Sequence, residues 1–523
     1  MSKGHGLPNG WARAKLREIT LTSGTRNPKK EGGGDTFSYV DIDALDNVHQ
    51  KIVSPKVLAK SDAPSRARMA IRAGDVIFSL VRPYLKNIAI VPPELDGEVA
   101  STAYCVLRPT ECATSAFLFY QVIQEAFIHS VSTYGNSPPS ARDEEFLDMV
   151  VCLAPLNEQR RIVAKIEELF SDLDAGVAAL ERVRANLKRY RAAVLKAAVE
   201  GRLTAAWRAK NPPKETGPQL LARILRERRR KWEEEQLAAF ARAGKTPPAK
   251  WKEKYKEPAG PDYTSLRPLP EGWCWATIEQ VSEYARYGSS AKAFPEPLGV
   301  PVLRMGNIQD GSLDVRSLKY LPVGHAEFPD LLLQPGDLLF NRTNSAELVG
   351  KSAVYRGEPS PCSYASYLIS VRFLPGCESR CVCYFINSAH GRTWIASVVS
   401  QQVGQANVNG TKLQRLAIPL PPIDEQSTII AEVEQRLSVL EEAEAQVVAN
   451  VTRSARLRQA ILQRAFDGKL VPQDPHDESA SALLARISAQ PKDGRGQLEE
   501  PGRSRASRKR SQARGAASCR KSS

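Results

Sequence analysis

The sequence lacks any long apolar run. No stretch approaches the roughly 20 consecutive apolar residues that a membrane-spanning helix requires, so we expect neither a transmembrane segment nor a membrane partner. Residues 1–10 are polar and lack the apolar core of a secretory signal, which leads us to expect a cytoplasmic location. Hydrophobic residues make up 42% of the chain and charged residues 25%, which is the balance of an ordinary globular protein.

Motifs for metal binding are also missing. The nine cysteines are scattered, and their one cluster, Cys377, Cys381 and Cys383, has no second pair at the spacing of zinc ligands. We therefore interpret these cysteines as buried free thiols. The six histidines form no recognisable triad or ligand set, so we expect no metal site.

Catalytic motifs are incomplete where they occur. Asn211-Pro212-Pro213 resembles the catalytic motif of adenine methyltransferases, but Lys214 follows where those enzymes have an aromatic residue, and no Gly-rich cofactor loop precedes it. Gly350-Lys351-Ser352 lacks the first glycine of a phosphate-binding loop. We expect this chain to carry no catalytic residue and to bind no cofactor.

The net charge of +15 is confined to two segments. Residues 205–268 contain 16 Lys and Arg against 8 Asp and Glu, and residues 490–523 contain 10 against 3, which together account for the whole excess. In the first segment, the basic run 226–231 could bind phosphates or could be a solvated helix that contacts a partner. We expect the second segment to be a disordered basic tail, whose role stays open.

The chain contains an internal repeat. Leu7-Pro8-Asn9-Gly10-Trp11 recurs as Leu269-Pro270-Glu271-Gly272-Trp273, and Gly74-Asp75-Val76-Ile77-Phe78 recurs as Gly336-Asp337-Leu338-Leu339-Phe340, both at an offset of 262. Pro155-Leu156-Asn157-Glu158-Gln159 matches Pro422-Ile423-Asp424-Glu425-Gln426, and Gly201-Arg202-Leu203 matches Gly468-Lys469-Leu470, both at 267. Each repeat therefore combines a globular domain with a long segment, and a short stretch at 220–224 and 483–487 follows.

The long segments have the pattern of coiled-coil helices. Apolar residues recur every seven positions, at Ile166, Leu173, Leu180, Leu187 and Val194, with Val183 and Tyr190 among those on the companion heptad position. The second segment has a weaker seam. Glycine at 201 and 468 marks the helix ends, because a left-handed residue there favours glycine.

These patterns predict an α+β fold with seven segments. We expect strands at Asp75–Val81, Ile88–Val91, Tyr104–Leu107, Leu338–Phe340 and Leu368–Phe373, and helices at Ala116–Val131 and Val382–Val399. The segments are a first domain (1–155), a first long helix (156–204), a basic helical linker (205–268), a second domain (269–421), a second long helix (422–471), a short helix (472–489) and the tail (490–523).

The duplicated plan and the motifs at both helix ends resemble the specificity subunits of type I restriction-modification systems. The resemblance covers about residues 7–487. It implies two mixed α/β target recognition domains, which each recognise half of a split DNA site and are separated by two long antiparallel coiled-coil helices with pseudo-twofold symmetry. It further implies a non-catalytic subunit whose partners are double-stranded DNA, two methyltransferase subunits and the restriction (motor/nuclease) subunits. S-adenosylmethionine would be bound by the methyltransferase.

Polar loops after the central strands are the candidate DNA contacts. Arg can pair with guanine and Asn with adenine, while Lys and Thr suit phosphates. In the first domain the candidates are Arg82, Tyr84, Lys86, Asn87, Asn136 and Ser137; in the second they are Arg342, Thr343, Asn344, Lys351, Gln405, Asn407, Asn409 and Lys412. An ordinary polar turn, with amides that satisfy their own backbone, is the alternative interpretation of each loop.

Two other functions remain open at this point. The chain could itself be a methyltransferase or nuclease, although the missing cofactor loop argues against it. It could also be a coiled-coil scaffold that binds only protein, which the neutral charge of its globular parts allows.

Overall fold

The computed structural model describes residues 6–31, 34–135, 139–402 and 405–489. The chain forms two compact units. Unit 1 contains the described residues up to Val177 and from Thr452 onward, and unit 2 contains Ala178–Val451. Each unit therefore holds one globular domain and a part of both long helices. No helix in the described part of the chain is long and apolar enough to cross a membrane.

The first globular domain consists of short strands and four short helices. The strands are β1 (Ala12–Lys15), β2 (Thr20–Leu21), β3 (Thr36–Val40), β4 (Leu45–Asp46), β5 (Lys51–Ile52), β6 (Lys56–Ala59), β7 (Ala67–Ala70), β8 (Val76–Ser79), β9 (Ile88–Ile90), β10 (Val99–Ser101), β11 (Tyr104–Pro109) and β12 (Val150–Leu153). The helices are α1 (Leu16–Ile19), α2 (Ser115–Val122), α3 (Glu125–Ser130) and α4 (Asp143–Leu147).

Three helices connect the two domains along the chain. They are α5 (Leu156–Val199), α6 (Ala205–Lys210) and α7 (Gly217–Arg242). Short 3-10 turns follow α7 at Trp251–Lys254 and Tyr263–Ser265, and others lie at Pro28–Lys30, Ile42–Ala44, Lys60–Asp62, Pro83–Leu85, Pro93–Leu95 and Met305–Asn307.

The second globular domain repeats the plan. Its strands are β13 (Cys274–Thr277), β14 (Ser282–Tyr287), β15 (Val300–Leu303), β16 (Ile308–Gln309), β17 (Ser312–Leu313), β18 (Lys319–Leu321), β19 (Leu338–Asn341), β20 (Thr343–Asn344), β21 (Ser352–Val354), β22 (Ser363–Tyr364), β23 (Leu368–Phe373), β24 (Ser400–Gln402), β25 (Gln405–Asn407) and β26 (Ala417–Leu420). Its helices are α8 (Ile278–Val281), α9 (Ser379–Asn387), α10 (Ala389–Val398) and α11 (Gly410–Gln414), before α12 (Ile423–Phe466) and α13 (Ala480–Ala489).

Both domains are built on equivalent antiparallel sheets. The strand order is β2-β11-β8-β9 in the first and β14-β23-β19-β21 in the second. The central strands β8 and β19 are buried on both faces because successive side chains of a strand point to opposite sides. Val76 and Phe78 enter one core and Ile77 another, and Leu338, Phe340 and Leu339 are divided in the same way. The predicted mixed α/β class is confirmed.

The two long helices pack antiparallel within each unit. In unit 1, Ile162 and Ile166 of α5 share a core with Leu462 and Ala465 of α12. In unit 2, Val194, Leu195 and Ala198 pack with Ile429 and Val433. The beginning of α5 therefore contacts the end of α12, and the end of α5 contacts the beginning of α12, as in an antiparallel pair of coiled-coil helices.

The middle of the predicted seam is not fully covered. Leu173, Leu180 and Leu187 are half-buried, and Val183 and Tyr190 remain 44% and 48% exposed. On α12, the heptad positions Val433, Leu440 and Val447 are buried, whereas Val439, outside that register, is 65% exposed. Only the ends of the seam in α5 are deeply buried in this chain, so apolar surface remains available along both helices.

Two predicted helices are each broken into two. The segment predicted at Ala116–Val131 contains α2 and α3, separated where Gln124 adopts extended backbone angles. The segment at Val382–Val399 lies within α9 and α10, separated at Ser388, whose side chain accepts a hydrogen bond from the backbone N–H of Gly391 and caps the second helix. The continuous apolar pattern is therefore interrupted at both places, by the extended backbone of Gln124 and by the Ser388 cap.

Candidate nucleic-acid interface

A buried ion pair fixes the central strand of each domain at its start. The Asp75 carboxylate accepts hydrogen bonds from Arg108 Nε (2.8 Å) and Nη2 (2.6 Å) and from the backbone N–H of Arg72 (2.8 Å). Asp337 accepts equivalent bonds from Arg372 Nε (2.8 Å) and Nη2 (2.7 Å), which raise the pKa of the Arg372 guanidinium. The repeated Gly-Asp motif therefore anchors the strand whose far end carries the candidate loop.

At that far end, two loops meet in each domain through the same hydrogen bond. In the first domain the backbone N–H of Ala141 donates to Leu80 O at 2.8 Å, and in the second Val408 N–H donates to Arg342 O at 2.9 Å. The four residues occupy equivalent positions in the repeat. We call residues 80–87 with 134–142 loop pair 1, and residues 342–351 with 400–412 loop pair 2. The structure thus joins segments that lie about 60 residues apart in sequence.

Loop pair 1 exposes an arginine and two tyrosines. Arg82 has a left-handed φ of 49° and is exposed, and its backbone N–H donates to Pro139 O at 2.9 Å. Tyr84 is 58% exposed and Tyr134 44%. The guanidinium of Arg142 lies over the Tyr134 ring at 4.3 Å, and the Tyr134 hydroxyl donates to Glu145 at 2.7 Å. That hydrogen bond raises the pKa of Tyr134.

Two candidates of loop pair 1 are held by the protein itself. Asn87 is only 6% exposed, and its backbone carbonyl accepts a hydrogen bond from Ser79 N–H within the β8–β9 hairpin. Its DNA contact stays a prediction, at a side chain that is buried in this structure. Lys86 Nζ lies 3.1 Å from Glu125 Oε1 and keeps only part of its side chain in solvent. Asn136 and Ser137 lie outside the described residues.

Loop pair 2 is organised by a small sheet. Strand β25 pairs with both β20 and β24, which places Thr343 opposite Asn407 and Asn344 opposite Ala406. The amide of Asn407 donates to the Thr343 hydroxyl at 3.2 Å. The sheet thus brings together three of the predicted side chains, Thr343, Asn344 and Asn407. The backbone of Gln405 belongs to β25, and its side chain is outside the described part of the chain.

Arg342 occupies the centre of loop pair 2. Its guanidinium lies 4.8 Å from the ring centroid of Tyr287, and its Nε is buried without a hydrogen-bond partner among the described residues. The Tyr287 hydroxyl accepts a hydrogen bond from the backbone N–H of Gly410 at 2.7 Å. Tyr287 is 44% exposed and Tyr367, beside Arg342, is 49% exposed. Both tyrosines were missed in the sequence, because Tyr287 lies at the end of β14 and Tyr367 in the turn before β23, both distant in sequence from the predicted loops.

Three further candidates of loop pair 2 have structural roles or partial exposure. The Asn409 side chain accepts from Lys412 N–H at 2.8 Å and caps α11, while Lys412 Nζ donates to Val398 O at 2.7 Å. These two residues fit the alternative interpretation of an ordinary turn. Lys351 is half-buried after the Gly350 turn, where φ is +81°.

A second duplicated site connects each domain to the long helices. Trp11 Nε1 donates to Glu158 at 3.1 Å in unit 1, and Trp273 Nε1 donates to Glu425 at 2.8 Å in unit 2. In unit 2, Arg208 also binds the Glu425 carboxylate, with Nη2 at 2.8 Å. The Glu-Gln motif at the start of each long helix thus forms a buried socket for the tryptophan at the equivalent position of each repeat.

The glutamine after each buried glutamate completes the socket. Gln159 Nε2 donates to Cys112 O (2.8 Å) and Ala154 O (2.9 Å), and Gln426 Nε2 donates to Gly376 O (3.0 Å) and Pro421 O (2.9 Å). Repetition of the Glu-Gln pair was the available signal for this role.

Equivalent grooves lie beside the long helices in both units. In unit 1 a cavity of about 850 Å³ is lined by Tyr120, Phe170, Asp174 and Arg458 among others. In unit 2 a cavity of about 600 Å³ is lined by the repeat counterparts Tyr384, Leu437, Glu441 and Arg191. An ion pair crosses each groove from α12 to α5, between Arg458 and Asp174 in unit 1 and between Arg191 and Glu444 (3.3 Å) in unit 2.

Comparisons with known proteins agree with this duplicated design. A family model described as the type I restriction modification DNA specificity domain matches residues 270–449. The chain is 26% identical to the type I restriction enzyme EcoKI specificity subunit of Escherichia coli (strain K12) over 510 residues, which cover 92% of this chain and 96% of that protein. It is 24% identical to the StySPI specificity subunit of Salmonella potsdam over 508 residues, with the same coverage of 92% and 96%.

A solved structure has the same fold. It comes from a study of complex assembly and conformational transition in the type I R-M system. Its TM-score with this chain is 0.61 at 28% sequence identity, over 89% of this chain and 100% of the solved one.

Proposed function

This chain belongs to the family of type I restriction-modification specificity subunits, and from that membership we propose that it recognises a split DNA sequence, one half with each recognition domain. The observation that carries the proposal is that each domain presents one exposed loop pair, and that the two loops of each pair are joined by a hydrogen bond at an equivalent position. A duplicated framework with different side chains at the same place suits two half-sites of different sequence.

The proposed base contacts are the exposed or partly exposed polar side chains of the loop pairs. In loop pair 1 they centre on Arg82 and Tyr84, and in loop pair 2 on Arg342, Asn344 and Asn407. An arginine guanidinium can donate two hydrogen bonds to guanine, and an asparagine amide can pair with adenine in the major groove. Lys86 and Lys351 suit phosphates at the edges of these surfaces.

We also propose that the chain is non-catalytic and aims a partner enzyme. Methyl transfer from S-adenosylmethionine would take place in a methyltransferase subunit, and cleavage in a restriction subunit when the system has one. The duplicated grooves and the half-exposed helix seam support the binding of two identical methyltransferase subunits, because equivalent surfaces bind equivalent partners. Native mass spectrometry of the assembled complex measures this number, and a complex with a single methyltransferase subunit as its only stable form would contradict it.

The proposed function is tested by mapping methylated adenines across the host genome, with the gene intact and with it deleted. We expect a split motif, with a fixed spacer of unspecified bases, that is methylated only when the gene is intact. The matched control is the deletion strain with the gene restored on a plasmid, which should recover the same motif. An identical methylation pattern in all three strains, with the complex assembled in the two strains that carry the gene, would instead favour a scaffold that binds only protein.

A further inference from the structure

The linker between the domains contains a basic hairpin that the recognition loops do not account for. We define it as residues 225–257, which comprise the last two-thirds of α7 and the returning segment with the 3-10 turn Trp251–Lys254. It contains 11 Lys and Arg against 6 Glu, a net charge of +5. The repeat correspondence with the end of the chain covers α7 only as far as Ile224, so the hairpin lies outside the duplicated framework.

Aromatic packing holds the hairpin together. Trp232 on α7 stacks on Trp251 of the returning segment, with ring centroids 5.9 Å apart, and contacts Tyr255 at 5.3 Å. Phe240 meets Trp251 edge-on at 6.3 Å. Arg228 donates to the Tyr255 hydroxyl at 3.1 Å. A segment with its own aromatic cluster presents its charges on a fixed surface rather than on a loose tether.

Most cations of the hairpin fall into two groups. The first is in ion pairs with hairpin glutamates; its members are Arg229, Arg230, Lys250 and Lys252. The second group is exposed and forms no ion pair with any residue in the described ranges; its members are Arg226, Arg242, Lys245, Lys254 and Lys256. The glutamates therefore neutralise part of the helix stem, while unpaired positive charge remains at Arg226, at the tip and along the returning segment.

The hairpin extends away from the start of α12 within unit 2. The N–H of Gly217, at the start of α7, donates to Gly272 O, beside the Trp273 socket. Lys231, fourteen residues later, lies 2.8 Å from Glu283, near the start of β14. Helix α7 continues for about 16 Å beyond this contact. Strand β14 runs from Ser282 to Tyr287, whose hydroxyl accepts a hydrogen bond from the backbone N–H of Gly410 in loop pair 2.

We propose that this basic hairpin binds phosphates of the DNA that loop pair 2 recognises. The proposal rests on the proposed function, because it assigns the DNA of that function a second, sequence-independent contact. Lysine and arginine bind phosphate oxygens without regard to base sequence, and they make the affinity depend steeply on salt. The hairpin thus contributes affinity to any duplex, and the loop pairs contribute the preference for the target.

The test uses the full chain in complex with its methyltransferase subunits and two variants of the hairpin. One variant, R242Q/K245Q/K254Q/K256Q, removes four unpaired cations. The matched control, E235Q/E253Q, neutralises two exposed glutamates of the same hairpin. Binding to a duplex with the mapped target and to an unrelated duplex is measured between about 50 and 200 mM salt, the range over which phosphate contacts dominate the change.

We expect the four-fold variant to bind both duplexes more weakly by the same factor and to flatten the slope of log K against log salt by up to about 3.6, at about 0.9 per lost phosphate contact. The glutamate variant should bind both more tightly. The methylated motif should be the same in both variants. A folding defect would weaken DNA binding in either variant. It would not make binding weaker when cations are removed and tighter when glutamates are neutralised.

Three results would overturn the proposal. An unchanged salt slope in the four-fold variant contradicts the hairpin contact alone. Loss of a methyltransferase subunit from the variant complex in native mass spectrometry assigns the surface to a protein partner instead. A change in the methylated motif assigns the hairpin to base recognition. A wild-type complex with no preference for the target contradicts the proposed function itself.

Discussion

Single side chains decide which of the candidate loop residues can reach DNA. The Arg342 guanidinium lies against the Tyr287 ring and donates through Nη1 to Ser366 O at 3.4 Å, while its Nε has no hydrogen-bond partner among the described residues. These contacts orient the guanidinium and use only part of its hydrogen-bonding capacity. In the same loop pair, the Asn409 side chain accepts a hydrogen bond from the backbone N–H of Lys412, and Lys412 Nζ donates to Val398 O. Residue type alone did not separate these cases, because the partners lie on strands distant in sequence.

At Arg342 we predict a loss of sequence-dependent affinity. Arg342→Ala should cost about 1–3 kcal/mol for the target duplex, roughly 5- to 150-fold in affinity, and should relax the preference at one base pair of one half-site. The matched control is Arg316→Ala, since Arg316 is 89% exposed in the same unit and paired with Asp314. Binding constants for the target and for duplexes with single base changes measure the effect. Equal weakening for every duplex would show that Arg342 contacts phosphate only.

At Glu158 we predict a dependence of stability on pH. Burial raises the pKa of this carboxyl above its ordinary value of 4.5, and the hydrogen bond from Trp11 and the charge of Arg161 offset only part of the shift. The charged form therefore costs stability at neutral pH, and the cost disappears as pH falls through the folded-state pKa. Glu158→Gln retains an oxygen that can accept from Trp11 and lacks the cost.

The measurement is the free energy of unfolding in urea, for wild type and Glu158→Gln, from about pH 7 to the ordinary glutamate pKa of about 4.5. Wild type should gain stability relative to the variant as pH falls. Glu111→Gln, which removes an exposed carboxylate, is the control for the loss of one negative charge. A difference between wild type and Glu158→Gln that stays constant with pH would contradict the buried-charge interpretation.

At the scale of elements, the long helices were predictable from the sequence. The individual loops were predictable too, but their pairing into one surface was not. Regular heptads and the motifs at 155–159 and 201–203 defined the long segments, because these signals are local. The small sheet of β20, β25 and β24 pairs segments about 60 residues apart, and no local pattern specifies that pairing. The sequence therefore named several side chains of loop pair 2 without indicating that they share one surface. It missed Tyr287 and Tyr367 for the same reason.

Two glycines, Gly176 inside α5 and Gly201 just after its end, give a prediction at this scale. Gly201 has a φ of +68°, and a Cβ there would lie 2.6 Å from Pro270 Cγ and 3.1 Å from Trp273 Cζ2. Gly201→Ala should destabilise unit 2 by more than the roughly 1–2 kcal/mol of a left-handed backbone. Gly176 lies inside the helix with open space around it, so Gly176→Ala should stabilise by about 0.5–1 kcal/mol. Denaturant unfolding of both variants measures the contrast, and effects of equal sign would contradict it.

At the scale of the whole molecule, the repeat combines two recognition domains, which should be exchangeable, with long helices that serve both domains. Each domain meets the long helices through a Trp-Glu-Gln socket, while the loop pairs differ in side chains between the domains. Residues Leu220 and Ile224 of α7 belong to the second domain's core, so that core begins before residue 269. A domain that carries its own core and loops should be exchangeable without loss of the helical framework.

Exchange of the second domain tests the central claim most directly. Residues 217–421, which include the start of α7, are replaced by the equivalent segment of a relative with a different target, and methylated adenines are mapped in cells that contain the assembled, active complex. The account predicts that one half of the methylated motif changes to that of the donor and the other half stays the same. A motif that changes in both halves, or in neither, would contradict the assignment of one half-site to each domain.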